Sequence, residues 1–162
     1  MSHSSADDND TKFLQHALEQ ALESVSDGGA PFGAVVVHKG KVIAQAGNTV
    51  KQDFDATAHA EVSAIRKAGK VLSDAQMPDA TLYSSCEPCP MCLAAAHWAR
   101  IPRIVFAASQ ETANEAGFAD GNIAEQLYGQ IHPARADELG LMHIELENSA
   151  APFEAWLRAS SQ

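Results

Sequence analysis

The stretch Ala80-Thr-Leu-Tyr-Ser-Ser-Cys-Glu-Pro-Cys-Pro-Met-Cys-Leu-Ala-Ala-Ala-His-Trp-Ala-Arg-Ile-Pro-Arg-Ile-Val-Phe-Ala-Ala108 carries the alternation that decides the fold class. Ala80 to Ser84 reads as a strand. Pro90 fits the first position of a helix that runs to about Ala99, because its missing N–H is one that no helix turn would use. Arg103 to Ala108 reads as a second strand. Upstream, Thr57 to Ala68 reads as a helix closed by Gly69. Phe32 to Val37 is a short, valine-rich apolar run, the mark of a buried strand. His38-Lys-Gly-Lys41 turns the chain, and Val42 to Ala46 returns as its neighbour. At the start, Phe13, Leu14, Ala17, Leu18, Ala21, Leu22 and Val25 recur at helical spacing, with Asp10 or Thr11 as cap and Gly28-Gly29 as stop. Downstream, Ile123 to Tyr128 reads as helix, Leu141 to Leu146 as strand and Pro152 to Ala159 as a last helix. Two strands followed by alternating helices and strands predict an α/β sandwich around one mixed sheet.

The chain has 162 residues, 46% of them apolar and 20% charged. That is the composition and length of one globular domain with its own core. Residues 1–10 are polar and acidic and read as a flexible tail, leaving 11–162 as a single domain. That start has no positive region followed by an apolar core, so it does not read as a secretory signal. No apolar run reaches the ~20 residues of a membrane span. The expected location is cytoplasmic. The net charge is −10, unevenly spread: −5 over residues 1–30, +2 over 31–110 and −7 over 111–162. A basic groove along a polynucleotide is not expected. A small base remains open as a ligand.

Two motifs carry chemistry. His59-Ala60-Glu61 is H-x-E, and Pro88-Cys89-Pro90-Met91-Cys92 is P-C-x-x-C. In this order they match a zinc-deaminase signature. One imidazole and two thiolates make a soft donor set suited to Zn2+, and three protein ligands leave a fourth position for water. Glu61 then acts as the catalytic proton carrier and not as a ligand. Residues two apart do not share a helix face, so His59 and Glu61 flank one cavity only at the mouth of their helix. With Pro90 opening the next helix, Cys89 and Cys92 lie at its N-terminus, where the positive dipole end favours thiolates. The three cysteines fall within seven residues, a poor disulfide framework. Cys86 is expected to be a semi-buried thiol outside the ligand set; a Cys86–Cys89 redox pair would leave the H-x-E unexplained. His143-Ile-Glu145 is a second H-x-E, in an alternating stretch that reads as a strand's solvent face. His97 follows Cys92 on the same helix and reads as packing or pocket lining.

His59-Ala-Glu-Val-Ser-Ala-Ile-Arg66 and Ser85-Cys-Glu-Pro-Cys-Pro-Met-Cys-Leu93 resemble the cytidine deaminase-like superfamily, and within it the short bacterial guanine deaminases. Pro31-Phe-Gly-Ala-Val-Val36, Gly47-Asn-Thr49, Trp98-Ala-Arg100, Glu115-Ala-Gly-Phe-Ala-Asp120 and Pro152-Phe-Glu-Ala-Trp156 extend the likeness over roughly residues 11 to 158. The resemblance implies a three-layer sandwich, with a mixed five-stranded sheet flanked by helices and zinc at two helix N-termini. It implies zinc-dependent hydrolysis of guanine to xanthine and ammonia, with Glu61 as proton shuttle. Asn48 and Asp120 would read the base's polar edge, Phe32 and Trp98 would line its faces, and Ala60 would lie beside it. It also implies a homodimer in which the C-terminal segment can be exchanged. Two departures stand out: Ala119 where the family carries aspartate, and an end, Trp156-Leu-Arg-Ala-Ser-Ser-Gln162, without a pocket-capping tyrosine. Guanosine, a guanine-like triazine, tRNA adenosine and cytosine are the alternative substrates. A non-catalytic zinc module is the alternative of another class, and a fourth ligand from Cys86 would mark it.

Overall fold

The computed structural model describes residues 8–118, 123–126 and 140–161. Helix α1 (Asp8–Ser26) precedes a hairpin of β1 (Gly33–His38) and β2 (Lys41–Gly47). Next come a short α2 (Val50–Asp53), α3 (Ala60–Leu72), β3 (Ala80–Cys86), α4 (Pro90–Trp98), β4 (Arg103–Ala108) and α5 (Gln110–Glu115). A helical turn at 123–126, β5 (Leu141–His143) and α6 (Ala151–Ser160) complete the described elements. The strands form one sheet in the order β2-β1-β3-β4-β5. β1 pairs antiparallel with β2 and β3, whereas β3–β4 and β4–β5 are parallel. The expected mixed five-stranded sheet is therefore present.

Strand periodicity builds the layers. Along β1, β3 and β4, one set of alternate residues (Ala34, Val36, Leu82 and Ile104) packs against Ala60, Ala64 and Ala68 of α3 and Ala96 of α4. The other set (Val35, Val37, Tyr83 and Val105) packs against Leu14, Ala17 and Leu18 of α1. Because side chains alternate across a sheet, each strand serves both cores. The α3 and α4 face is lined largely by alanines, which lets these helices sit close to the strands. On the other face Gly33 does the same for α1: a Cβ there would stand 2.3 Å from the backbone of Ala17 and Ala21. Gly28, at φ +85°, closes α1 as the glycine pair predicted.

Boundaries of α1, α3 and β5 differ from the sequence expectation. Helix α1 starts at Asp8, so residues 8–10 belong to the helix and not to the expected tail. The cause is Asp10, which is 2% exposed. Its carboxylate accepts from Tyr83 Oη at 2.6 Å and pairs with both terminal nitrogens of Arg103 at 2.6 Å each. Helix α3 starts three residues later than expected, because Asp55 Oδ1 holds the N–H and hydroxyl of Thr57 in a turn. It also runs through Gly69 to Leu72, where Ser73 takes the left-handed conformation (φ +54°) and donates its N–H to Gly69 and Lys70. Leu72 packs on the core, which favours the extra turn. Strand β5 stops at His143, although Ile144 still donates to Phe106 at 3.0 Å. Of the expected helix from Ile123 to Tyr128, residues 123–126 are helical, and Tyr128 lies outside the described residues.

Candidate active site

Two helix N-termini meet at the site. His59 is the N-cap of α3, with extended backbone (φ −68°, ψ 152°). Glu61 follows inside the first turn. This break in helical geometry is what allows residues two apart to face one space. Cys89 caps α4 in the same manner (φ −68°, ψ 168°), Pro90 opens that helix, and Cys92 lies in its first turn. His59 Nδ1 stands 3.5 Å from Cys89 Sγ and 3.4 Å from Cys92 Sγ. The three donor atoms lie within 4.8 Å of one another.

Whether a metal fits can be judged from those distances. Zinc–sulfur bonds of about 2.3 Å and zinc–nitrogen bonds of about 2.05 Å at a tetrahedral angle require an N–S separation of about 3.6 Å. The observed separations match within about 0.2 Å. The donor set is the one expected for zinc, and among the described residues it is a group of three, as a catalytic site requires. Cys86 stays out of it. Its thiol is 2% exposed, faces the Ser109 carbonyl at 3.8 Å and packs with Ala108, Ala113 and Phe153.

Electrostatics separate the ionisable groups. The Cys92 hydrogen bond, followed by that of His59, holds the Cys89 thiol down to about 4 against the opposing effect of burial. Cys92 is pushed up, by its hydrogen bond to Cys89 first and by burial second. Glu61 is 5% exposed and burial raises its pKa, with the Cys92 and Ser84 hydrogen bonds acting in the opposite sense. Its Oε2 lies 2.9 Å from Cys92 Sγ, and its Oε1 accepts from Ser84 Oγ at 2.7 Å. A carboxylate two residues from one ligand and in contact with another is placed to exchange protons with whatever occupies the fourth position. Ser84 was not singled out in the sequence. The available signal was strand parity: it shares a face with Leu82, which packs toward α3.

The residues expected at a substrate divide into groups. Asn48 is 6% exposed, and its backbone N–H donates to the Phe32 carbonyl at 3.1 Å, so the two are neighbours. Asn48 Oδ1 accepts from the Val50 N–H at 3.2 Å, which turns the amide nitrogen the other way. Phe32 stands edge-on to Phe118 (5.1 Å) and Phe153 (5.7 Å), and Phe118 meets Trp156 at 5.4 Å. The C-terminal helix thus contributes an aromatic wall. The sequence contained its parts without revealing that they meet. The Ala60 side chain is fully buried in the core, so its backbone N–H is what remains for a ligand, the helix having no acceptor for it. Trp98 departs from expectation. It is 80% exposed at the far end of α4, roughly 9 Å along the helix axis from Cys92, and does not meet the triad within the chain. Asp120 and Ala119 lie outside the described residues. His143 and Glu145 are exposed on alternate positions, as expected of a solvent face, and His143 also stacks on Phe106 at 4.8 Å and contacts Glu145 and the Ala107 carbonyl.

Comparison with known proteins agrees with this geometry. Residues 7–108 match the family model of the cytidine and deoxycytidylate deaminase zinc-binding region. A guanine deaminase of Bacillus subtilis (strain 168) is 46% identical over 149 residues, which cover 91% of this chain and 94% of that protein. An X-ray structure of guanine deaminase from Bacillus subtilis superposes with a TM-score of 0.71 at 43% identity, covering 98% of this chain and 95% of that one. A tRNA-specific adenosine deaminase of Agrobacterium fabrum is 43% identical, but over only 60% of this chain and 64% of its own length. On the fold, the motif and the triad together, the chain belongs to the cytidine and deoxycytidylate deaminase family of zinc-binding proteins.

Proposed function

We propose that this chain hydrolyses guanine to xanthine and ammonia. The observation that carries the reading is the contact of buried Glu61 with both Ser84 and Cys92, at the rim of a His59–Cys89–Cys92 donor set. His59, Cys89 and Cys92 hold zinc. Zinc held there would supply the positive charge that acidifies water and stabilises negative charge developing on oxygen. Glu61 takes a proton from water through the carboxylate oxygen facing Cys92. It delivers that proton to a ring nitrogen as the water oxygen bonds to the amino-bearing carbon, then carries the proton left on that oxygen to the amine as the C–N bond breaks. Its burial suits this work, because a raised carboxyl pKa lets the group give a proton as readily as it takes one.

Substrate choice falls to the remaining residues. The Asn48 amide donates to the guanine carbonyl, Asp120 accepts from its N–H groups, and the Ala60 N–H is a further donor. A carboxylate left unpaired by the wrong base is costly, which sharpens discrimination. Phe32, backed by Phe118 and Trp156, walls one ring face. The acidic balance argues against tRNA. The active form is a homodimer, for which the two most exposed aromatic side chains on the described surface, Phe54 (97%) and Trp98 (80%), are support. In the structure Phe153 of the C-terminal helix packs on its own chain, against Cys86 and Ala108. Exchange of that segment would re-form the same contact across the pair. Among the described residues no helix is long and apolar enough to cross a membrane. Three cysteines outside any disulfide, two of them at the metal site, fit a reducing, cytoplasmic compartment.

The test is ammonia release by zinc-replete protein from guanine, guanosine, adenosine, cytosine and cytidine side by side. Release from guanine is expected. Release from guanosine instead would leave the chemistry standing and overturn the substrate.

A further inference from the structure

The Ser84 hydroxyl makes two contacts of 2.7 Å, one to Glu61 Oε1 and one to the carbonyl oxygen of Cys86, two residues along the same strand. It is fully buried. A serine hydroxyl has one proton to donate and lone pairs to accept with. A serine serving only the strand would need one acceptor, and Cys86 O would suffice. The second contact reaches across to α3 and clamps one carboxylate oxygen, leaving Oε2 on the Cys92 side. With one proton and two partners, the hydroxyl can donate to a Glu61 carboxylate. It can donate equally to Oε1 of a Glu61 carboxylic acid whose proton sits on Oε2. It therefore keeps a bond to Glu61 in either form.

We propose that Ser84 is a positioning residue for the reaction, holding Glu61 Oε1 so that Oε2 stays aimed at the metal side of the site. The inference rests on the deaminase reading above. It goes beyond it in assigning a role to a side chain that touches neither metal nor substrate. Without the hydroxyl, Oε1 has lost its partner and the carboxylate is free to turn about its terminal bond. The binding of guanine, made by other residues, is untouched.

The experiment compares wild type, Ser84→Ala and Ser84→Thr for kcat, KM, zinc content and thermal unfolding. For Ser84→Ala, kcat is expected to fall about 10- to 100-fold, the worth of a hydrogen bond to a charged group. KM should stay within about twofold and zinc content should be unchanged. Ser84→Thr, which keeps the hydroxyl, should recover most of the rate. An unchanged kcat in Ser84→Ala would overturn the proposal. So would loss of zinc or early unfolding in Ser84→Ala, which would mark a structural role, or a folded, zinc-loaded Ser84→Thr as slow as Ser84→Ala. A wild type without activity on guanine would instead strike the deaminase reading itself.

Discussion

Glu61 Oε2 lies 2.9 Å from the sulfur of Cys92, so the carboxylate proposed to move protons touches a thiol positioned to hold metal. Their proximity is costly unless a cation or a shared proton offsets two adjacent negative charges. With Cys89 also drawn toward thiolate by its hydrogen bonds, a cation held by the three donors would offset this charge.

Removal of zinc by a chelator is therefore expected to abolish turnover and lower the unfolding temperature, since metal that binds only the folded chain stabilises it. Cys89→Ser and Cys92→Ser should each lose near-stoichiometric zinc, while Cys86→Ser should keep it. Elemental analysis of the purified variants checks this. Zinc loss in the Cys86 variant would point to a structural four-ligand site instead.

In chelated protein, Cys89 should be the first thiol alkylated. Its pKa is depressed to about 4, so the thiolate is present throughout the range above that value and is lost only as pH falls through it. The alkylation rate at Cys89 should be nearly flat between pH 6 and 8, where an ordinary thiol gains on the order of 100-fold. Peptide mapping after a short pulse of iodoacetamide distinguishes the two. First modification at Cys92, whose pKa is driven the other way, would contradict the assignment.

The Asp10–Arg103 pair ties α1 to β4 on the sheet face opposite α3 and α4. Arg103 is raised in pKa chiefly by Asp10, and Tyr83 is also raised, by burial first. Asp10→Ala leaves a partly buried guanidinium without its carboxylate. The expected cost is roughly 2–4 kcal/mol, below the fully buried limit because the Arg103 side chain keeps 24% exposure. Denaturant unfolding measures it. Activity per folded molecule should not change.

Phe32→Ala and Trp98→Ala should behave differently. Phe32 packs against two rings beside Asn48, so its loss should raise KM for guanine several-fold and destabilise the fold by about 3 kcal/mol. Trp98 is exposed, and Trp98→Ala should leave monomer stability within about 0.5 kcal/mol. Sedimentation of Trp98→Ala tests the dimer separately: a shift toward monomer is expected, and an unchanged dimer would remove Trp98 from the interface.

What could be read from the chain were features whose causes are local. The His59 and Cys89 caps follow from H-x-E spacing and from Pro90, and the sheet from valine-rich runs and turn glycines. The Asp10 contact was hidden because its partner stands 93 residues away, and an acidic residue near a terminus reads as solvated surface. The end of α3 differs from the expected glycine stop because half-buried Leu72 packs on the core and favours another turn. The Phe32–Phe118–Trp156 wall joins three distant segments, and no periodicity links them. Trp98 was expected at the substrate by resemblance, and its position on the helix puts it at the opposite end from the cysteines.

The most direct test of the account is guanine turnover by zinc-loaded wild type beside zinc-loaded Glu61→Gln. The amide keeps the shape of the side chain and its bond to Ser84 but cannot take up a proton. Wild type should convert guanine to xanthine with equal release of ammonia. Glu61→Gln should retain zinc and lose at least about 100-fold in kcat. A Glu61→Gln enzyme that still turns over guanine at the wild-type rate would contradict the account.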